Sequence, residues 1–213
     1  MALLYCDIET APIAEAAAYL PPQEAPSNYK DPEKIAAYIA DAQARALAKA
    51  ALDPGLLRIV AIAAQVDHDA AQVWLCPDVE SERTALARLW RLATQATAQG
   101  GLLVGYNLLA FDLPAIITRS WLLGVQPAFT SLRRYGQHGV LDLMHRLDFD
   151  GLIPSRGLSW WCQRIGLGPD DVTSGKDMPG FVEAGDWASV EAHVRADLEK
   201  TVALAAWCGV APF

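Results

Sequence analysis

Short apolar segments alternate with helix-patterned segments along this chain, and that alternation restricts the folds open to it. Two apolar runs flank the polar turn at 67–70 and are expected to pair as a hairpin. From residue 80 onward, residues with helical apolar spacing are separated by shorter apolar runs. This order favours an α/β protein with a mixed sheet and helices on its faces. The predicted strands are 2–8, 57–66, 72–76, 102–105 and 139–144, and the predicted helices are 80–98, 112–123, 157–166 and 187–208.

An alanine-rich segment at 13–56 separates the first two predicted strands. Its sequence PPQEAPSNY is typical of a loop. A long helix is predicted to follow, with Asp31 as its cap and Pro32 in its first turn, and DPG at 53–55 is expected to end it. The segment is too small to hold a core of its own. We therefore expect a helical insertion within a single domain that spans 1–213.

The composition narrows the class of protein. Apolar residues make up 53% of the 213 residues, and the net charge is −8. That charge argues against a protein that coats nucleic acid by bulk attraction, but it allows local binding through cations that neutralise clustered carboxylates. The four cysteines lack a zinc-site spacing, so we expect buried free thiols. We expect a cytoplasmic protein, because no signal-peptide pattern precedes the first strand and no apolar run could span a bilayer.

Two carboxylates stand inside the first apolar run, in the sequence YCDIETAP. Residues two apart in a strand point to the same face, roughly 7 Å apart, so Asp7 and Glu9 are expected to project together from the strand end. Close carboxylates repel one another, and a divalent cation such as Mg²⁺ or Mn²⁺ offsets that repulsion with oxygen ligands. The alternative is that both side chains are simply solvated beyond the end of the strand.

A third carboxylate follows the strand at 102–105. The sequence VGYNLLAFD places Asp112 after an apolar strand, together with the polar Asn107 and the aromatic Phe111. The alternative interpretation makes Asp112 the N-cap of the helix that follows.

A histidine and a fourth carboxylate lie on the last predicted helix, in the sequence HVRADLEKT. His193 and Asp197 are one turn apart and share a face of that helix. The alternative is a solvated face. Val194, Leu198 and Val202 make the helix amphipathic, which favours a position for His193 and Asp197 near the boundary with the core.

Together these segments resemble the DEDD 3′→5′ exonucleases, the DnaQ-like branch of the ribonuclease H-like fold that contains stand-alone proofreading-type enzymes. The family's motifs are D-x-E-T, then G-x-N-x-x-x-F-D, then a histidine or aromatic residue followed by Asp and often Thr. All three occur in the family's order, which is a specific signal. The matching residues are Asp7, Glu9 and Thr10, then Gly105, Asn107, Phe111 and Asp112, then His193, Asp197 and Thr201.

One departure concerns the histidine. In the histidine-type branch of the family the histidine usually precedes the aspartate by five residues, whereas His193 precedes Asp197 by four, as the tyrosine does in the tyrosine-type branch.

The resemblance implies a mixed five-stranded sheet flanked by helices, with the helical insertion after the first strand, and a site for two divalent cations, Mg²⁺ or Mn²⁺. It implies that Asp7 bridges both ions, that Glu9 and Asp197 bind the ion of the attacking water, and that Asp112 binds the other. His193 would accept the proton of the water.

Five residues are expected to contact the terminal nucleotide. Alternatives exist for two of them, since Phe111 could belong to the core and Lys176 could be solvated. Asp142 is interpreted as structural, and Trp160 and Trp161 as core residues. The five candidate contacts are Ile8, Thr10, Asn107, Phe111 and Lys176.

The predicted activity is therefore a metal-dependent 3′→5′ exonuclease that prefers single-stranded DNA ends. The alternatives are an RNA exonuclease, or a nucleic-acid-binding module of the same fold that has lost catalysis; the complete set of four carboxylates argues against the second. No polymerase or helicase segment is recognisable, so proofreading would require a polymerase or replication partner chain. The insertion at 13–56 leaves the strand after Thr10, so we expect it beside the site.

Overall fold

We describe the protein from a computed structural model that covers residues 2–98, 100–133, 138–167 and 173–210. Within these residues five strands form one sheet in the order β3-β2-β1-β4-β5. The hairpin partner β2 runs antiparallel to β1, and β3 runs antiparallel to β2, whereas β4 and β5 continue the sheet in parallel. The strands are β1 (Leu3–Pro12), β2 (Leu57–Val66), β3 (Gln72–Leu75), β4 (Leu102–Gly105) and β5 (Val140–Asp142).

Helices cover both faces of the sheet, which confirms the predicted ribonuclease H-like α/β class. Helices α3 and α4 pack on one face, and α7 and α8 on the other. No helix within the described residues combines the length and apolarity that a membrane span requires. The helices are α1 (Ala16–Tyr19), α2 (Pro32–Ala50), α3 (Val79–Ala98), α4 (Leu113–Leu122), α5 (Leu143–Leu147), α6 (Leu158–Ile165), α7 (Met178–Ala184) and α8 (Trp187–Trp207).

Strand β1 divides the core, because its side chains alternate between the two faces of the sheet. Leu4 and Ile8 belong to the apolar cluster beneath α3 and α4, whereas Leu3 and Tyr5 belong to the cluster beneath α8. The same alternation carries Asp7 and Glu9 to the α8 face. The thiols of Cys6, Cys76 and Cys162 are buried and free, as predicted, whereas Cys208 is free but only partly buried.

A buried ion pair joins the elements of the α3/α4 face. Arg119 of α4 donates from Nε and Nη2 to the two carboxylate oxygens of Glu82 at 2.7 and 2.8 Å. Glu82 also accepts the backbone N–H of Ile59 at 2.9 Å. Glu82 is fully buried, so this pair ties α3 and α4 to β2 without access to water.

The insertion at 13–56 contains the predicted long helix. Its cap is as expected, because the Asp31 side chain accepts the backbone N–H of Glu33 and Pro32 opens the helix. The helix contacts β1 and α1.

Several predicted boundaries were wrong. Strand β1 does not end at Ile8 but continues to Pro12, because β2 pairs with it along its whole length, across a bulge after Glu9. The strand predicted at 139–144 stops at Asp142, whose side chain accepts the Met144 N–H and caps α5. Helices α1, α5 and α7 were not predicted.

Candidate active site

The site begins where β1 continues beyond its parallel neighbour. The pairing between β1 and β4 stops at Tyr5 and Val104, so Asp7 and Glu9 lie on a stretch of β1 that only β2 pairs. They lie within the strand, which continues to Pro12, and Glu9 is buried, so the alternative of two solvated side chains beyond the end of the strand is wrong. In open α/β sheets, ligands bind at the carboxyl ends of parallel strands, and this stretch lies at that edge.

The chain that leaves β4 makes an unusual turn before α4 begins. Asn107 adopts a left-handed conformation with φ 57°, and residues Leu108–Asp112 form a π-helical turn. Asp142 holds this turn, since its carboxylate accepts the backbone N–H groups of Asn107 and Leu109 at 3.0 and 2.9 Å. Such turns are rare and often occur at functional sites. Asp142 thus supports the turn, as its structural interpretation predicted.

Gly105, part of the second motif, is required by close packing at the start of this turn. A Cβ atom there would lie 3.1 Å from the Cys6 carbonyl oxygen and 3.1 Å from Leu108 Cδ1. The glycine therefore lets the turn approach β1.

Asp112 lies at the end of the π-helical turn and is buried. It has helical backbone angles and makes no capping hydrogen bond with its side chain. The alternative interpretation of Asp112 as an N-cap is therefore wrong. Burial raises its pKa to about 8, the charge of Asp142 adds to that increase, and backbone hydrogen bonds at Asp112 and Ile8 oppose it. Asp112 is thus adjacent to β1 at the residue between Asp7 and Glu9.

Helix α8 brings the remaining two side chains across the sheet. His193 is buried, and its Nε2 atom lies 3.4 Å from Glu9 Oε1 and 3.9 Å from Asp197 Oδ2. Donor atoms of Glu9, His193 and Asp197 lie within 4.8 Å of one another. The four-residue spacing therefore places histidine and aspartate together against Glu9.

The segment that precedes α7, with Thr173 and Gly175, borders the site beside His193 and Glu9. The Thr173 hydroxyl lies 2.7 Å from His193 Nδ1. A Cβ atom on Gly175 would lie 3.9 Å from Glu9 Oε2. Thr173 therefore fixes the orientation of the imidazole ring, whose other nitrogen points towards the carboxylates.

The carboxylates repel one another. Burial raises the pKa of Asp7 well above its ordinary value, and the charges of Asp112, Glu9 and Asp197 raise it further. This links Asp7 electrostatically to the three other predicted carboxylates.

Lys200 is the nearby cation that partly offsets this charge. Its Nζ donates to Asp197 Oδ1 at 2.8 Å, and its side chain is only 5% exposed. Lys200 lowers the pKa of Asp7, but burial and the carboxylates have the larger effect.

The donor set fits a divalent cation. Carboxylate oxygens are the ligands that Mg²⁺ and Mn²⁺ prefer, and a dication would relieve the repulsion that raises the Asp7 pKa. Glu9, Asp197 and His193 have donor atoms close enough to share one ion.

The predicted nucleotide contacts occupy varied positions. The side chain of Ile8 lies in the core, Phe111 is partly buried against the same cluster, and the Thr10 hydroxyl donates to the Ala51 carbonyl oxygen at 2.7 Å. Lys176 is exposed, in the one-turn helix Gly175–Asp177 beside Glu9. Asn107 is partly buried at the turn.

Trp160 and Trp161 differ in their exposure to solvent. Trp161 packs against the α8 cluster, as predicted, but Trp160 is 42% exposed with the Arg156 guanidinium 5.3 Å from its ring centre. Its interpretation as a core residue is wrong, because α6 turns only one of the adjacent side chains towards α8.

Two residues of the site were missed from the sequence. Lys200 lies three residues after Asp197 on the same helix, and that spacing is a usable signal. Thr173 lies in a segment without periodicity, so no signal in the sequence would have identified it.

Comparison with solved structures supports the fold. The chain is similar to the family B DNA polymerase from the hyperthermophilic archaeon Pyrobaculum calidifontis, with a TM-score of 0.63 and 16% identity over 97% of this chain. It is also similar to a product-bound exonuclease I, with 15% identity over 96% of this chain, but a TM-score of 0.46 is too low to establish a shared fold. The matched regions are 24% of the polymerase chain and 42% of the exonuclease I chain.

Comparison at the level of sequence identifies no related protein. No protein-family model matches the chain, and no curated protein sequence matches it.

Proposed function

We propose that residues 1–213 form a single 3′→5′ exonuclease domain, with 13–56 as a helical insertion, that removes nucleotides from the 3′ end of DNA and prefers single-stranded ends. The observation that carries the proposal is the convergence of Glu9, His193 and Asp197, with donor atoms within 4.8 Å, beside Asp7 and Asp112. The likeness to the polymerase structure supports the fold on which this arrangement stands. An RNA exonuclease would use the same arrangement.

We assign the metal-binding role to Asp7, Glu9, Asp112 and Asp197. Two divalent cations, Mg²⁺ or Mn²⁺, would supply Lewis acidity to water and to the departing 3′-oxygen. Asp7 projects beside both Glu9 and Asp112, so it is the residue suited to bridge the two positions.

The remaining residues act on the proton and the nucleotide. His193 accepts a proton from the attacking water at Nε2 while the Thr173 hydroxyl holds Nδ1. The water oxygen bonds to phosphorus as the bond between phosphorus and the 3′-oxygen breaks, which releases a 5′-mononucleotide. The departing 3′-oxygen takes a proton from solvent and becomes the new 3′-hydroxyl end. Four parts of the chain surround the position of the terminal nucleotide. They are the segment with Lys176, the Asn107 turn, Phe111, and the β1 backbone from Ile8 to Thr10. Proofreading would use a polymerase or replication partner chain.

Cleavage of end-labelled substrates tests the proposal. Single-stranded DNA, duplex DNA and RNA, each labelled at the 5′ end, are incubated with the protein and Mg²⁺ or Mn²⁺. We expect a ladder that shortens from the 3′ end, fastest on single-stranded DNA, and no ladder in excess EDTA. A faster ladder on RNA would favour the RNA exonuclease instead.

The Asp7→Ala variant is the matched control. We expect it to lose cleavage and to be at least as stable as wild type without metal, because removing one carboxylate relieves repulsion. Robust cleavage by Asp7→Ala, or by wild type in EDTA, would contradict a metal-dependent mechanism.

A further inference from the structure

Helix α2 is exposed for most of its length. Ala50 is the buried residue of this helix, and most of its other side chains face solvent. Its C-terminal end is anchored, because Ala51 accepts the hydrogen bond from the Thr10 side chain. The insertion is anchored again where Ile13 N–H donates to the Leu56 carbonyl oxygen at 2.9 Å. The anchored end therefore contacts Thr10, the residue after Glu9, and the rest of the helix separates this end from the first half.

An open cavity of ≈ 720 Å³ lies between the first half of α2 and the loop that precedes it. Two aromatic rings line it, Tyr29 from the loop and Tyr38 from the helix, with centres 5.6 Å apart and planes at 71°. Tyr29 is 38% exposed. The rings brace one another edge to face and still present aromatic surface to solvent.

Two lysines bring positive charge to this cavity. Lys30 and Lys34 line it together with Asp31 and Asp41. Asp31 is engaged as the helix cap, and Asp41 is paired with Arg45. Among the described residues, neither lysine has an ion-pair partner. The ammonium groups are therefore available to an anionic ligand.

The length of helix between the cavity and the anchored end indicates how long a ligand would have to be to reach both. Tyr38 lies thirteen residues before Ala51, which corresponds to roughly 20 Å along a helix. A strand with stacked bases advances about 3.4 Å per nucleotide, so about six nucleotides cover that distance, and fewer do in an extended strand. Aromatic rings beside lysines are the surface on which single strands bind without sequence preference.

We infer that Tyr29, Tyr38, Lys30 and Lys34 form a stacking platform for single-stranded nucleic acid several nucleotides upstream of the 3′ end. The inference rests on the proposed function, because the site at Glu9 sets where the 3′ end lies. It gives α2 a role in substrate selection, since a duplex end does not offer unpaired bases to the platform.

Binding by oligonucleotides of two lengths tests the platform. Oligothymidylates of 4 and 12 nucleotides with a 5′ fluorescein are titrated, by fluorescence anisotropy, into protein with the Asp7→Ala change so that the probe is not degraded. Tyr29→Ala/Tyr38→Ala should weaken binding of the 12-mer about 10-fold or more, and binding of the 4-mer hardly at all. Tyr19→Ala, which removes a 70% exposed tyrosine from α1 outside the cavity, is the control and should change neither.

The lysines are tested through the salt dependence. Lys30→Ala/Lys34→Ala should reduce the slope of log affinity against log salt for the 12-mer by about 1.4, or about 0.7 for each phosphate that is no longer neutralised. Arg88→Ala/Arg91→Ala removes the same charge from exposed positions on α3 and should leave the slope unchanged.

The outcomes separate the platform from the exonuclease. Loss of 12-mer affinity on the tyrosine change, together with no cleavage by the protein that keeps Asp7, would support the platform and contradict the exonuclease. Cleavage by the protein that keeps Asp7, together with unchanged 12-mer affinity in the tyrosine variant or equal losses for both lengths, would overturn the platform alone. Self-association that the tyrosine changes abolish, with DNA binding intact, would assign the surface to a second copy of the chain and also overturn it.

Discussion

At the residue scale, the site depends on how His193 is held. Its two nitrogens have different neighbours, the Thr173 hydroxyl at Nδ1 and the carboxylates of Glu9 and Asp197 at Nε2. This fixes the ring with one nitrogen towards the carboxylates, which is the orientation that the proposed role as a general base requires.

His193→Ala should lower turnover roughly 10²–10⁴-fold, the usual contribution of a positioned base. Cation binding should persist, because all four carboxylates remain. Turnover rates of wild type and His193→Ala, measured with saturating Mg²⁺, provide the check.

A tyrosine at the same position sharpens this test. The four-residue spacing matches the tyrosine-type branch, so His193→Tyr should retain more activity than His193→Ala. A near wild-type rate for His193→Ala would show that the base lies elsewhere.

Asp112 makes the stability of the metal-free protein depend on pH. Its pKa is raised to about 8 in the folded state, against about 3.9 in an unfolded chain. Protonated Asp112 therefore contributes its full stabilisation to the folded protein below about pH 4, and this contribution is lost as the pH rises through about 8. Asp7, whose pKa is also raised, acts in the same direction.

We expect the stability of wild type relative to Asp112→Asn to decrease between pH 5 and pH 8 in EDTA, as measured by urea unfolding. The asparagine carries no proton to lose, so the variant lacks this contribution. Asp69→Asn, at an exposed position, is the control and should keep the wild-type pH dependence. Parallel curves for wild type and Asp112→Asn would contradict the assignment.

At the element scale, the buried pair of Glu82 and Arg119 secures the face of the sheet opposite the site. Removing one partner of a buried pair leaves an uncompensated charge, which usually costs about 3–5 kcal/mol. Glu82→Ala also leaves the Ile59 N–H without its acceptor.

Glu82→Ala should therefore lower the free energy of unfolding by about 3–5 kcal/mol in chemical denaturation. Replacing both partners, as in Glu82→Met/Arg119→Met, should cost less than Glu82→Ala alone, because no charge remains buried. A double variant as unstable as the single one would show that packing, and not the ion pair, holds these helices.

At the scale of the whole molecule, cation binding should stabilise the fold. Four carboxylates drawn from β1, the turn after β4, and α8 meet in the folded state alone, so an ion bound there favours the native chain. A ligand at 100 times its dissociation constant stabilises by about 2.7 kcal/mol.

Mg²⁺ or Mn²⁺ should raise the midpoint of thermal unfolding in a concentration-dependent manner. Asp7→Ala should respond much less, because it lacks the residue suited to bridge the ions. Equal responses of wild type and Asp7→Ala would place the bound ion at another site.

Much of the architecture followed from local pattern. Apolar periodicity and end signals act over a few residues, and they were enough to predict several elements. These are strands β2 and β4, the hairpin, helices α3, α6 and α8, and the capped helix α2. The four carboxylates and His193 were identified by their spacing within three short motifs. Periodicity and capping are properties of neighbouring residues, and a linear sequence contains them in full.

Other features depended on contacts between distant segments. The extension of β1 to Pro12 requires its pairing with β2, and the π-helical turn before Asp112 is held by Asp142, thirty residues later in the chain. The neighbours of His193, Thr173 among them, come from separate elements. The sequence by itself determined which elements form and which residues carry the charge. The tertiary structure decided how those charges meet, because burial and repulsion depend on residues that only the fold brings together.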